Sequence, residues 1–418
     1  MSYTKKKILF HLTNPPIPAD SGAKTRDLGT LKYFSHRKDF FTVDAFSANS
    51  FNNVIWNLEQ SQEVLKVVDN FFLYSGEHNL LDFLYSRTQS FYHQKLLRQQ
   101  LPVDSDYYTP PGYVKFVQRL ISQDKYDYIW INHLENAHLV VNSKSLQAHT
   151  IIDMHDFLCD LRLARKNIFP LEGLKFDYEA NFVKEVKLMN RFNTIVACSQ
   201  EELEKIYHFI TEPKIHLIPH LSTGLNSTNN TTPYSMREFK YDLFFVGTNY
   251  QLNADGINFF IEQIIQKILA QKPDLRLLIA GKVAELIQVD KALEQNVICM
   301  GYVPDLAELY LQSRVVICPL LRGSGTKVKL LEAIAYAMPI VTTTTGASGL
   351  SLKDSINAFI RDDPELYAQT VLNLLKEPKL AQKVSEEVAM TFESEYSISA
   401  VYSKLDAMFR IWPSADRV

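Results

Sequence analysis

Short apolar runs alternate with helical patterns along the first half of the chain. The runs lack polar alternation, which is typical of strands buried on both faces of a parallel sheet. They predict strands at Lys7–Thr13, Phe41–Phe46, Tyr126–Ile131, Thr150–Met154, Asn193–Cys198 and Lys214–Pro219. Helical patterns lie between them, and residues 77–122 are predicted to be mostly helical, with a break at Thr109–Gly112. This alternation predicts a doubly wound α/β domain.

The second half repeats the alternation after a polar segment, Ser222–Ser235, that has no apolar periodicity and predicts a linker. Strands are predicted at Tyr241–Gly247, Leu275–Ala280, Val297–Gly301, Arg314–Cys318 and Pro339–Thr343. Helices are predicted at Ala254–Gln271, Ala284–Glu294 and Asp305–Gln312. Further helices are predicted from Asp363 to Trp412, the last of which, Ser397–Trp412, is amphipathic and capped by Ser397. We therefore expect domains at 1–222 and 239–395, a linker at 223–238, and a final helix within 396–418.

The amino-acid composition indicates a globular protein and argues against several other classes. Hydrophobic residues make up 46% of the 418 residues and charged residues 22%, as in globular proteins. A net charge of −3 argues against a general nucleic-acid binder. The four cysteines have no zinc spacing and fit a reducing compartment. The apolar run Ile8–Leu12 is too short for a signal peptide or a spanning helix, so we expect a cytoplasmic protein, with peripheral contact at the inner face of a membrane left open.

The densest candidate chemistry lies in the segment Pro319–Gly349. A predicted strand runs into a Gly-Ser-Gly turn, and the turn is predicted to open a helix at Gly325-Thr326. A glycine turn at a helix N-terminus favours anions, because backbone N–H groups and the helix dipole point at them. Arg322, Lys327 and Lys329 add positive charge, whereas Glu332, placed on about the third turn, would accept hydrogen bonds from hydroxyls near a phosphate. The alternative is an ordinary strand-to-helix crossover.

The segment resembles the donor-site signature of family 4 glycosyltransferases (glycosyl transferases group 1, retaining), particularly at Leu331-Glu332-Ala333 and Ala337–Val341. The resemblance implies the GT-B architecture, in which two Rossmann-like domains face each other across a cleft and the last helix crosses back to the first domain. It implies a nucleotide-diphosphate-sugar donor, with no cofactor and no metal. The acceptor would be a glycan, a lipid-linked sugar or a protein, and nucleic acid is not expected.

The resemblance also implies site residues in the second half. Lys327 and Glu332 are catalytic candidates, and Val303 is expected to meet the nucleobase. Donor-binding candidates are Gly247, Thr248, Gly281, Lys282, Tyr302, Val303, Arg322, Ser324, Gly325, Thr326 and Lys329.

Two features depart from the family pattern. No lysine or arginine lies between Gly247 and Lys267, and Ser324 stands where many members carry the first of two paired glutamates. We expect Arg322 and Lys327 to meet the phosphates and Lys329 to lie at the surface, because helix residues two apart point in different directions.

In the first half, Gly22 resembles the family's glycine loop. Lys24 or Arg26 would supply a cation to the site, or both are solvated charges on the first turns of a helix. His155, after a predicted strand, is the third catalytic candidate, and Asp156 would orient it. His133 and Glu135 are further acceptor-side candidates, whereas Ser199 is predicted to be a helix N-cap rather than a nucleophile.

One further segment, Leu161–Lys175, is both basic and apolar. It predicts either a solvated helix and loop, with Arg162, Arg165 and Lys166 exposed, or an element that meets the acceptor or a membrane surface.

Taken together, these features favour a retaining, metal-independent glycosyltransferase in glycan or glycoconjugate biosynthesis. A sugar-nucleotide epimerase of the same architecture and a non-catalytic, sugar-nucleotide-binding partner subunit remain alternatives.

Overall fold

The computed structural model describes residues 4–19, 21–49, 55–143, 146–166, 168, 172–221 and 232–411. The chain divides into two compact units. Unit 1 comprises Met1–Leu221 and Tyr402–Val418, and unit 2 comprises Ser222–Val401. Most of the predicted linker, residues 222–231, lies outside the described residues.

Unit 1 is built on a seven-stranded sheet in which every pair of neighbours is parallel. Its strands are β1 (Lys6–His11), β2 (Phe41–Asn49), β3 (Asn70–Ser75), β4 (Tyr128–Asn132), β5 (His149–Asp153), β6 (Thr194–Ala197) and β7 (Lys214–Leu217), in the order β3-β2-β1-β4-β5-β6-β7. Its helices are α1 (Gly22–His36), α2 (Leu58–Leu65), α3 (Leu80–Ser90), α4 (Pro111–Gln123), α5 (Leu158–Ala164), α6 (Tyr178–Met189) and α7 (Gln200–Tyr207).

Unit 2 has a six-stranded parallel sheet in the order β10-β9-β8-β11-β12-β13. The strands are β8 (Tyr241–Val246), β9 (Leu277–Ala280), β10 (Val297–Met300), β11 (Ser313–Cys318), β12 (Ile340–Thr342) and β13 (Phe359–Ile360). The helices are α8 (Gln251–Phe259), α9 (Ile265–Leu269), α10 (Ala307–Leu311), α11 (Val328–Ala335), α12 (Thr344–Ala347), α13 (Pro364–Lys376) and α14 (Pro378–Thr391), and α15 (Ile398–Phe409) runs from unit 2 into unit 1.

Both sheets follow the strand order of dinucleotide-binding folds. The order reverses between β1 and β4 in unit 1 and between β8 and β11 in unit 2. At such a reversal the loops beyond the carboxyl ends of the strands diverge and leave a crevice for a ligand. The central strands are fully buried, as their unbroken apolar runs predict; Leu243 to Phe245 of β8 have no exposed surface. The predicted fold class of two Rossmann-like domains is confirmed.

The final helix packs on unit 1, as predicted. Tyr33 of α1 donates a hydrogen bond to Asp406 of α15 at 2.9 Å, and Arg37 donates to both oxygens of the same carboxylate. The Phe409 ring lies edge-on to Phe41 at 5.0 Å. These ionic and aromatic contacts hold α15 against α1 and β2.

Some local predictions are wrong. The helix predicted at Ala284–Glu294 is replaced by two 3₁₀ turns, Lys282–Leu286 and Lys291–Leu293, because the Asp290 side chain accepts a hydrogen bond from the Ala292 N–H and starts a separate turn. The helical prediction for 77–122 holds for α3 and α4, with a π-helical turn, Phe91–Leu96, after α3 and an irregular stretch before α4. Strand β3 was missed; it lies at a sheet edge, where side chains are only half-buried.

Candidate functional site

The loop after β11 is held in a fixed path by threonines from the next strand and helix. The Thr342 hydroxyl donates to the Cys318 carbonyl at 2.8 Å, and the Thr343 hydroxyl donates to the Leu320 carbonyl. A third hydroxyl, from Thr345, reaches the backbone one residue further along, at 3.4 Å. The loop therefore presents its tip, residues 322–327, as a preorganised element rather than an open turn.

Glycines give the loop tip its shape. Gly325 has φ +68°, a left-handed conformation that a side chain would strain, and Gly349 has φ +81°. A Cβ on Gly349 would lie 3.0 Å from the Thr326 Cα, so this glycine lets another turn pack directly on the loop. The Thr326 hydroxyl adds a hydrogen bond to the Gly349 carbonyl at 3.3 Å.

Helix α11 begins later than predicted. Its first residue is Val328, and Lys327 is the N-cap with φ −84° and ψ 86°. The predicted start at Gly325-Thr326 is wrong because neither the left-handed backbone of Gly325 nor the ψ of 86° at Lys327 fits a helix. Glu332 consequently lies on the second turn of the helix, not the third.

The two lysines at this helix end are both turned inward. The buried Lys327 side chain donates to the Gly325 carbonyl at 2.6 Å. The Lys329 ammonium donates to the Asn253 side-chain oxygen and lies 5.1 Å from the centre of the Phe245 ring. Burial, with a smaller contribution from the Lys327 charge, lowers the pKa of Lys329. The prediction that Lys329 lies at the surface is therefore wrong, and the later helix start is the reason.

Arg322 and Ser324 lie on the same loop in different environments. The exposed Arg322 forms an ion pair with Asp255 of α8 at 2.7 Å, so part of its charge is neutralised. The Ser324 hydroxyl oxygen is buried and has no hydrogen-bond partner among the described residues. A buried hydroxyl without a partner is costly, and a bound ligand would satisfy it.

Glu332 is positioned by a tyrosine from the preceding helix. The Tyr310 hydroxyl lies 3.1 Å from the Glu332 Oε2 and also 3.1 Å from the Lys329 carbonyl. Burial raises the pKa of Glu332, and the Tyr310 hydrogen bond works in the opposite direction. The Tyr310 ring is stacked on Tyr336 at 4.8 Å, which fixes the hydroxyl in place. Glu332 is thus a preorganised acceptor at the end of the sheet.

Two glycines bring β8 and β9 together at the same edge. Gly281 has φ +88°, and a Cβ there would lie 2.3 Å from the Gly247 carbonyl oxygen. Thr248, directly after β8, accepts hydrogen bonds from the Asn253 amide at its carbonyl and, at 3.2 Å, at its hydroxyl. Asn253 therefore links the loop after β8 to Lys329.

The remaining candidates of unit 2 lie after β9 and β10. Lys282 is exposed, Tyr302 is 67% exposed and Val303 is half-buried against the core of the unit. Asp305 accepts a hydrogen bond from the Ala307 N–H and so supports the start of α10. The nucleobase contact of Val303 stays a prediction.

Unit 1 carries a histidine cluster at the carboxyl ends of its strands. His11 ends β1, His133 follows β4, His155 follows β5 and His220 comes shortly after β7. The His133 and His155 rings are stacked at 4.0 Å, and both residues have left-handed backbones, with φ +61° and +60°. Such strain is concentrated at functional sites. Sequence analysis singled out His133 and His155 but not the other two.

His155 is held as a neutral imidazole. Its Nε2 atom lies 3.2 Å from the Asn132 side-chain oxygen and 3.3 Å from the Asp27 Oδ1. Burial lowers the pKa of His155 to about 4 and that of His133, beside it, also to about 4. Burial raises the pKa of Asp27 well above its usual range, so this carboxyl favours its neutral form. The cluster therefore offers neutral hydrogen-bonding groups.

Arg26 has a structural position. Its Nε atom donates to both oxygens of Asp153 at 2.8 and 2.9 Å, and its Nη1 atom donates to the Ile218 carbonyl. The interpretation of Arg26 as a solvated charge is wrong, because both partners of this ion pair are almost completely buried. Gly22 begins α1 and Lys24 is half-buried on its first turn.

The other acceptor-side candidates are spread around the cluster. Asp156 is half-buried one residue after His155. Glu135 accepts a hydrogen bond from Arg162 at 2.7 Å, and since Arg162 is buried, the expectation that it is a solvated side chain of Leu161–Lys175 is wrong. Of that segment, residues 167 and 169–171 lie outside the described residues. Ser199 caps α7, as predicted, by accepting from the Glu202 N–H.

A pocket in unit 1 was missed by sequence analysis. It lies at the carboxyl ends of β2 and β3, and tyrosines from three different segments supply much of its lining. The Tyr113 hydroxyl is buried and bonds no described residue. The lining residues are Ala48, Asn49, Tyr74, Gly76, Asp82, Ser86, Tyr107, Tyr108, Pro110 and Tyr113.

Two features are absent from the described ranges. No three His, Cys, Asp or Glu side chains there are grouped so as to hold a metal ion. In the same ranges no helix has both the length and the apolar character that crossing a bilayer requires.

Comparison with known proteins gives a family match for part of the chain and a shared fold for nearly all of it. Residues 240–377 match the family model described as "Glycosyl transferases group 1". A relative from Klebsiella pneumoniae, described as an uncharacterized 44.6 kDa protein in the cps region, is 24% identical over 308 residues, which cover 67% of this chain and 74% of the relative.

The similar solved structures include TarM, a protein from S. aureus, with a TM-score of 0.67, 13% identity, and coverage of 98% of this chain and 99% of the other. HepE from Anabaena, with UDP and glucose, has a TM-score of 0.63, 15% identity and coverage of 97% and 99%. Sucrose-phosphate synthase from Thermosynechococcus elongatus has a TM-score of 0.64, 13% identity and coverage of 97% and 98%. At these identities the structures show a shared fold. The segment that matches the family model, residues 240–377, includes Lys329 and Glu332. This segment, which lies in unit 2, is thus similar in sequence to group 1 glycosyl transferases.

Proposed function

We propose that this protein is a retaining glycosyltransferase whose unit 2 holds a nucleotide-sugar donor at the carboxyl ends of β8 and β11. The observation that carries the proposal is the half-buried Lys329 ammonium, which bonds Asn253 at the strand-order reversal of a unit that matches a transferase family. A desolvated cation in a crevice is unfavourable unless an anion joins it. A donor diphosphate is the anion that such a domain would bind.

The chemistry follows from the charges around the loop. Lys327, Lys329 and the N-terminus of α11 would stabilise the negative charge that develops on the departing diphosphate. Glu332, with Tyr310 at its carboxylate, would accept hydrogen bonds from the ribose hydroxyls. The Ser324 hydroxyl, which lacks a described partner, would bond the sugar or a phosphate oxygen.

For the transfer itself, we propose that the acceptor hydroxyl attacks on the face that the diphosphate leaves. Its proton passes to the departing phosphate oxygen, so the C–O bond to the acceptor forms as the C–O bond to the phosphate breaks. No metal takes part in this scheme. In unit 1, His155 is a neutral group suited to bond a sugar hydroxyl.

The donor is proposed to be a UDP-sugar, since the S. aureus TarM and Anabaena HepE structures are described with UDP. The relative from the cps region supports a role in polysaccharide biosynthesis. The test is a thermal-shift and calorimetry panel of UDP-, GDP-, ADP- and CDP-sugars, followed by product analysis with and without acceptors. One nucleotide series is expected to raise the melting temperature, by mass action on the folded state.

Glu332→Ala is the test variant for this panel. Glu294→Ala, which removes an exposed carboxylate just after the turn Lys291–Leu293, is the control. Weaker donor binding in the first variant alone supports the ribose role. Unchanged affinity in Glu332→Ala would contradict that role, and donor binding without transfer to any acceptor would contradict the proposed catalysis.

A further inference from the structure

Helix α3 of unit 1 and the π-helical turn that follows it expose their apolar side chains to solvent. Leu80, Leu84, Phe91 and Lys95 recur at the spacing of one helix face, and that face is exposed to solvent. The exposed fraction of the apolar side chains in this segment runs from 41% to 77%. They are Leu80, Leu81, Leu84, Phe91, Tyr92, Leu96 and Leu97.

The inward face of the same helix is polar and satisfied. Asp82 accepts hydrogen bonds from the Tyr74 hydroxyl at 2.7 Å and from the Gly112 N–H at 2.9 Å. Ser86 donates to the Tyr107 carbonyl at 3.1 Å. A helix on a globular protein normally places its apolar side toward the core and its polar side toward water. Here the core makes no use of the apolar side, so another apolar phase is needed to explain it.

The exposed charges on this segment are all positive. Between Leu80 and Gln99 the sole acidic residue is Asp82, which is 2% exposed. Arg87, Lys95 and Arg98 are exposed, and the Arg87 guanidinium lies 5.3 Å from the centre of the Phe83 ring. The exposed surface of the segment is thus positive, although the whole chain has a net charge of −3. It is complementary to an anionic partner.

We propose that α3 and its π-helical turn lie flat on an anionic phospholipid surface. The segment from Leu80 to Leu96 is about 25 Å long at 1.5 Å per residue, and it combines leucines, two aromatic rings and cations, as interfacial helices do. The apolar side chains enter the acyl boundary while Arg87 and Lys95 reach the headgroups. A second copy of the chain is disfavoured, because a two-fold interface would bring the same cations together.

The proposal does not depend on transferase activity, and its test is vesicle flotation of the full chain. Vesicles of phosphatidylcholine alone are compared with vesicles that also contain phosphatidylglycerol, at low and high salt. We expect binding to the anionic vesicles, weakened by salt. Arg87→Gln combined with Lys95→Gln should lower the partition coefficient by about fivefold per charge. Leu84→Ser combined with Phe91→Ser should lower it by about tenfold per side chain.

The matched control is Leu366→Ser combined with Met390→Ser, which removes comparably exposed apolar side chains from unit 2 and should leave binding unchanged. All three double variants should keep the wild-type melting temperature, because the substituted side chains are exposed. Equal binding to neutral and anionic vesicles, or wild-type binding by the Leu84 and Phe91 variant, would overturn the proposal. So would a wild-type dimer in light scattering that the same variant dissociates.

Discussion

The Lys329 side chain gives the sharpest prediction, because function and stability should respond differently to its removal. Its ammonium bonds Asn253, lies over the Phe245 ring and has a lowered pKa. Lys329→Met keeps the length of the side chain and removes the charge. Two unit charges 4 Å apart interact by about 4 kcal/mol at an effective dielectric of 20. A net loss of about 1.5–3 kcal/mol in donor binding, about 10- to 150-fold, is therefore expected.

Stability should change little in the same variant. Removing the ammonium relieves its desolvation, and this gain offsets the lost hydrogen bond to Asn253 and the lost contact with Phe245. We expect the free energy of unfolding to change by less than about 1 kcal/mol. Lys291→Met, which removes an exposed lysine from the turn before β10 of unit 2, should change neither quantity.

The assay is calorimetric titration of the donor, paired with urea denaturation. A wild-type donor affinity in Lys329→Met, together with a large loss of stability, would refute the functional role. The pH dependence gives a second check. A lysine whose folded pKa is lowered binds fewer protons when folded, so stability should rise with pH between that lowered pKa and the ordinary 10.5. Donor affinity should fall over the same range.

Three further predictions concern the framework of the two units. Gly281→Ala should cost about 1–3 kcal/mol of stability in urea denaturation, because φ is +88° and a Cβ would lie 2.3 Å from a backbone oxygen; an unchanged midpoint would contradict the argument. Arg26→Met should cost about 3–5 kcal/mol by leaving Asp153 buried and unpaired, and Arg26→Met with Asp153→Leu should recover much of it. Tyr33→Phe removes the donor to Asp406 and should cost about 1.5–3 kcal/mol, with faster amide exchange in α15 as the local readout.

The parallel strands could be predicted because their signal is local. A strand buried on both faces needs an unbroken apolar run, and Leu243 to Phe245 supply one. Strand β13, Phe359–Ile360, was missed because two residues at a sheet edge leave no such run.

The geometry of the site depends on contacts between residues far apart in the sequence. The path of the loop after β11 is set by hydroxyls of Thr342 and Thr343, which come more than twenty residues later. That path fixes where α11 starts and hence that Lys329 points inward. Likewise, His11 and His220 are far apart in the sequence. Because the strands are parallel, both residues lie at the carboxyl ends of the strands. Neither the inward direction of Lys329 nor the grouping of the histidines can be predicted from the spacing of residues in the sequence.

The most direct test of the central claim is a crystal structure of the protein with the nucleoside diphosphate that gives the largest thermal shift. We predict phosphate oxygens within hydrogen-bond distance of the Lys327 and Lys329 ammonium groups, and a ribose hydroxyl donating to Glu332. A nucleotide bound elsewhere, with Ser324 and Lys329 left as they are in the free protein, would contradict the account.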